Sequence, residues 1–164
     1  MNSAPTPRMC PMILLLLVAA GCEKPPSRWD DVQQESRGKP AVAKASQAGS
    51  AFNRFFPKVG APFDLVYKQE KTGFVEASLK RDGKEVALLT ISDTTNNPEA
   101  AEKYKESSEN LGDYPLAPVG SRGTGLLVAG RYQVQLRSMD ESFTEEDRRE
   151  WLEKFDLNGL SQLP

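Results

Sequence analysis

Histidine is absent from all 164 residues, and the two cysteines, Cys10 and Cys22, both fall within the first 22. The rest of the chain therefore offers no imidazole base, no thiol nucleophile, no disulfide and no soft metal ligand. That removes Ser–His–Asp and Cys–His catalysis together with conventional zinc sites. A block of lysine or arginine is also missing. With 21 basic against 23 acidic residues the chain is mildly acidic, a poor match to nucleic acid. Long apolar runs are missing too. The longest, MILLLLVAAGC at 12–22, has eleven residues, and a helix crossing a membrane needs about 20.

What is present begins with that short run. Arg8 precedes it, small residues end it, and charged Glu23 and Lys24 follow, the layout of a secretory signal peptide. Val18-Ala19-Ala20-Gly21-Cys22 resembles the lipobox of bacterial lipoproteins, with Ala19 where leucine is commonest. The resemblance covers 1–22 and implies cleavage between Gly21 and Cys22. It further implies a diacylglyceryl group on the Cys22 sulfur and an acylated, palmitate-type amino terminus. Glu23, in place of aspartate, implies an outer-membrane address facing the periplasm. Two or three acyl chains hold a protein firmly, because each buried methylene contributes about 0.8 kcal/mol. An ordinary signal peptide with Cys22 incidental, or an uncleaved anchor, are the alternatives.

Residues 22–50 read as a lipidated terminus and flexible linker, rich in proline, glutamine and scattered charge, with Trp29 its one large ring. A tether of this length reaches about 25–30 Å. At 41–56, Val42, Ala45, Gly49, Phe52 and Phe56 recur at helical spacing before Pro57. The pattern predicts an amphipathic helix that either docks on the domain's own sheet or meets a membrane or partner.

From 51 to 164 one α+β domain is expected: an antiparallel sheet of about five or six strands covered by two or three helices. Val75, Ala77 and Leu79 alternate with polar residues, Asp82-Gly83 marks a hairpin, and 85–92 is apolar on both faces. Further strands are predicted at 64–69, 114–119, 124–129 and 131–137, with Gly130-Arg131 joining the last two. A helix is expected from an Asn97 cap to Gly112. Another runs from Thr144, through Trp151, Leu152 and Phe155, to a stop at Asn158-Gly159.

Candidate chemistry is sparse. GSRGTG at 120–125 precedes a strand rather than a helix and lacks a following lysine, so it reads as a turn, not a phosphate cradle. SDTTNNPE at 92–99 holds Asp93, Asn96, Asn97 and Glu99, two carboxylates only, too few for a calcium loop. Ser121, Ser138 and Ser142 are hydroxyl candidates, but no S-x-x-K pattern accompanies them. A weaker feature is a polar, cationic strip, which an ordinary solvated sheet face would equally present: Arg131, Gln133, Gln135 and Arg137 share one strand face, with Arg122 nearby. It suits an anionic envelope polymer or a partner's edge. The sequence thus favours a non-catalytic, lipid-anchored envelope binding module without metal, cofactor or nucleic-acid partner. A small hydrolase using Asp, Ser or Lys is one alternative. A complex subunit docking through Phe52–Phe56 is the other.

Overall fold

Asp82 and Gly83 take positive φ, 51° and 80°, and so do Ala129 and Gly130, 52° and 67°. Paired left-handed residues of this kind suit the twist of hairpin strands: here they make the two-residue turn from β2 (Phe74–Arg81) to β3 (Lys84–Asp93) and, with Arg131, a three-residue turn from β6 (Gly123–Val128) to β7 (Tyr132–Ser138). In the computed structural model, which describes residues 46–164, β1 (Phe63–Lys71), β4 (Glu109–Leu111) and β5 (Tyr114–Pro118) complete the sheet. Its seven strands run in the order β1-β2-β3-β7-β6-β5-β4, every neighbour antiparallel. The α+β class stands, with strand β4 beyond the expected count. Gly21, Cys22 and the residues up to 45 lie outside the described residues.

Register places Val75 opposite Ile91 and Ala77 opposite Leu89, and continues through Val134 and Leu136 to Leu126. These side chains share one face and are fully buried. A 3-10 helix at Gly49–Phe55, helix α2 (Glu145–Glu153) and helix α3 (Leu157–Ser161) supply the opposing apolar groups. Phe63 meets Trp151 edge-on at 4.8 Å, Phe56 meets Phe155 at 5.2 Å, and Phe52 meets Tyr132 at 5.9 Å. The opposite face is covered only in part, by helix α1 (Glu99–Lys105), whose Ala101 and Tyr104 pack on Ala117 and Leu127. Around Glu76, Leu88, Thr90 and Arg137 that face is half-buried or exposed.

Several expectations are corrected. Within the described residues the 41–56 segment is a short 3-10 helix, and Phe52, Phe55 and Phe56 are buried in their own domain; docking to a partner through these rings therefore loses its basis. The folded region also begins before residue 51, because the Gln47 amide donates to Asp93 and its carbonyl accepts from Gly73. The helix expected from Asn97 to Gly112 stops at Lys105. Pro98 rather than Asn97 stands at its cap, and Ser107 turns the chain by bonding the Glu109 amide at 3.2 Å and the Leu116 carbonyl. Gly112, at φ 59°, then turns β4 into β5 rather than ending a helix. The turn from β6 to β7 holds three residues, Ala129, Gly130 and Arg131, one more than the expected Gly130-Arg131 pair. Past α2 the chain does not stop at Asn158-Gly159: Asp156 accepts from the Gly159 amide at 2.8 Å and starts α3.

Candidate functional site

The turn between β5 and β6, residues 119–122, stands at the centre of two hollows. Gly120 takes φ 63°, the Val119 amide bonds the Gly123 carbonyl at 2.9 Å, and a Cβ on Gly123 would strike the Val119 carbonyl. Glycine at 123 is thus required by close backbone approach. On the helix side a cavity of about 260 Å³ opens between this turn and Glu109, Glu145, Arg148 and Arg149. On the other sheet face a hollow of about 270 Å³ lies between the turn and Arg122, Gln135 and Arg137. A further hollow of about 190 Å³ continues from Gln135 and Arg137 toward Phe74, Leu88 and Thr90.

Arg148 is the unusual member. Position 148 lies on the core stripe of α2 with Trp151 and Leu152, and the residue is only 8% exposed. Its Nε donates to Thr124 Oγ1 at 2.9 Å and its Nη1 to Ser138 Oγ at 2.8 Å, while the Ser138 hydroxyl donates to the Phe143 carbonyl at 2.6 Å. Both acceptors of Arg148 are neutral. The nearest carboxylate, Glu145, stands 3.9 Å from Nη2 on a side chain that is 57% exposed. Arg149 bonds Glu109 directly and lies 3.5 Å from Glu145; the hydrogen bond to Glu109 raises its pKa above the usual arginine value.

The strip expected on β7 is shorter than the sequence suggests. Gln135 and Arg137 do occupy the open face, next to Arg122, and neither arginine forms an ion pair among the described residues. Gln133 shares their face but is buried beneath α1, donating to the Tyr104 hydroxyl at 2.6 Å; burial pushes that hydroxyl up to about 12, against a smaller lowering by Gln133. Arg131 precedes the strand and turns instead to Asp93, donating from Nε at 3.0 Å and Nη2 at 2.8 Å, and from Nη1 to the Pro164 carbonyl at 2.6 Å.

Asp93, whose side chain is 0% exposed, also accepts from the Gln47 and Thr95 amides. Burial alone would raise its carboxyl, but the bonds from Arg131, Thr95 and Gln47 outweigh it and hold it down at about 2. The polar stretch 92–99 is thus a structural fastening. Among the described residues no group of three or more His, Cys, Asp or Glu side chains is placed to hold a metal ion, and no helix is long and apolar enough to cross a membrane. Of the serines, Ser121 rims both hollows around the turn, Ser138 is buried, and Ser142 bonds Asp140 and accepts from Arg81 at 2.8 Å. None bonds a lysine among the described residues.

The sequence reading missed Arg148 and Arg149. The signal was available, since an arginine at a core-facing helical position is costly unless it has partners. No family model matches the chain, and no curated protein or solved structure matches it.

Proposed function

We propose that the chain is a lipid-anchored, periplasm-facing binding module of the bacterial envelope, held in the outer membrane by acyl groups on Cys22 and without catalytic activity. The observation that carries this reading is Val18-Ala19-Ala20-Gly21-Cys22 at the end of a short apolar run. Acyl chains anchor where no spanning helix is needed. A binding role for the folded part is supported by Arg122 and Arg137, exposed beside Gln135 and not engaged in ion pairs within the described residues. Cations left unpaired on an open sheet face suit an anionic envelope polymer. Intact-mass measurement of detergent-extracted protein should show loss of residues 1–21 and added acyl mass on Cys22. Cys22→Ser should move the protein into the soluble fraction. An unacylated Cys22 would overturn the reading.

A hydrolase reading has one observation in its favour: Glu109 and Glu145 line the same cavity. Both are engaged by Arg149, whereas acid–base catalysis needs a carboxyl free to exchange its proton with a substrate. Glu109→Gln would abolish turnover of any substrate if this reading were right, and would leave polymer binding unchanged under the one preferred.

A further inference from the structure

We propose that the cavity between the β5–β6 turn and α2 is a binding site for the carboxylate group of a small organic acid, with Arg148 as its buried anchor. The inference goes beyond the lipid anchor and the open sheet face, and it stands on the helix side of the turn.

A guanidinium carries five N–H donors and a full charge, and burying it is unfavourable unless hydrogen bonds and a counter-charge accompany it. Arg148 has two hydroxyl partners, and its Nη2 has no acceptor within hydrogen-bond reach among the described residues. Yet it sits in the wall of a cavity rather than in solid packing. The protein's own carboxylate at this place is Glu145, which straddles the two arginines at 3.9 Å from Arg148 and 3.5 Å from Arg149. Charge-assisted contacts at full strength fall at about 2.7–2.9 Å. Glu145 is therefore near enough to define what Arg148 attracts and too far to satisfy it, whereas Arg149 is already paired with Glu109. An incoming carboxylate seated between the two guanidiniums would take the position that Glu145 approaches, leaving the exposed Glu145 side chain free to swing outward into water.

The size and the rim agree. A volume of about 260 Å³ falls below the range of about 300–1,000 Å³ that holds drug-sized ligands, so the cavity suits a small acid. At the rim, the amides of Gly120 and Ser121 donate to no acceptor among the described residues, and the Ser121 hydroxyl is at hand as a further donor. Bidentate recognition by arginine favours planar carboxylate over a spherical anion such as chloride.

The test uses the full chain in detergent, labelled with nitrogen-15 and titrated with acetate and, separately, inorganic phosphate at matched ionic strength. Acetate should shift the Arg148 Nε–H and Ser121 amide resonances in a saturable way. Glu145→Gln removes the resident competitor and should tighten acetate binding about fivefold. Arg148→Lys keeps the charge but loses the fork and should weaken it about tenfold or more. Should the lysine variant fail to fold, the exposed Glu145→Gln arm decides alone. Non-saturable shifts, or affinity unchanged in Glu145→Gln, would overturn the site. Phosphate binding tighter than acetate would overturn the carboxylate assignment.

Discussion

Strand β7 is bracketed by two guanidinium groups that are treated in opposite ways. At its start Arg131 grips Asp93 with two nitrogens, and Tyr132, Gln47 and Arg131 converge on the Pro164 carbonyl at 2.7, 3.0 and 2.6 Å. At its end Arg148 reaches Ser138 and Thr124, and its nearest carboxylate stays at 3.9 Å. The first arrangement ties the chain's entry at Gln47, the ends of β3 and β7 and the final residues into one knot. The second leaves the cation without a carboxylate in full contact, beside an opening. The difference teaches that a cation's acceptors distinguish how it is used: a carboxylate in full contact makes Arg131 a fastener, whereas neutral hydroxyls beside a cavity leave Arg148 open to the carboxylate proposed for it.

The largest expected effect breaks the fastener. Asp93→Asn should lower stability at neutral pH by about 2–3 kcal/mol, because removing one member of a buried ion pair costs far more than the pair contributes net. Chemical denaturation would measure it. The same carboxylate gives the pH test. Its folded pKa, about 2, lies below the ordinary 3.8, so the folded state prefers the ionised form. Its contribution, on the order of 2 kcal/mol, is complete above about pH 4 and is lost as pH falls toward 2. The stability gap between wild type and Asp93→Asn should narrow across that window. A gap that stays constant would show that the carboxylate is not the element being titrated.

A smaller effect is expected at the other end. Arg148→Met replaces a poorly compensated cation with an apolar chain of similar length, and such exchanges are often close to neutral. The Ser138 hydroxyl keeps its bond to Phe143. The loss should be about 1 kcal/mol or less by the same denaturation measurement, even as carboxylate binding disappears. A loss as large as that of Asp93→Asn would mean that both arginines are fasteners and would end the distinction.

Much of this was open to reading from residue order alone. Asp82-Gly83 announces its hairpin because both residues tolerate positive φ, and Thr144 announces α2 because its hydroxyl and Asp147 can bond each other's backbone, as they do. The alternation of Gln135 and Arg137 places them correctly on the open face. Other features depend on contacts distant in sequence, which periodicity does not carry. Gln133 has the same parity as its neighbours, and only the arrival of α1, packed through Tyr104, buries it. The truncation of α1 accompanies the bond from Ser107 to Leu116 of β5, a contact that local propensity does not carry. Arg148 stood in plain view on an apolar stripe, but a pattern that counts only the greasy positions passes over the charged one.

The smallest effect concerns Arg122 and Arg137, exposed arginines outside every ion pair among the described residues. Replacing both with glutamine should change stability by less than about 0.5 kcal/mol, the ordinary range for surface positions. If the open face serves an anionic polymer, the same double variant should bind it more weakly, and its binding should depend less on salt, because screening acts on the charges that were removed. Sedimentation with a polyanion at two salt concentrations separates the outcomes. Unchanged binding would assign these cations to solubility alone. Reduced binding at unchanged stability would mark charge held on the surface without structural return, in contrast to the fully used charge of Arg131 on the same strand's other end.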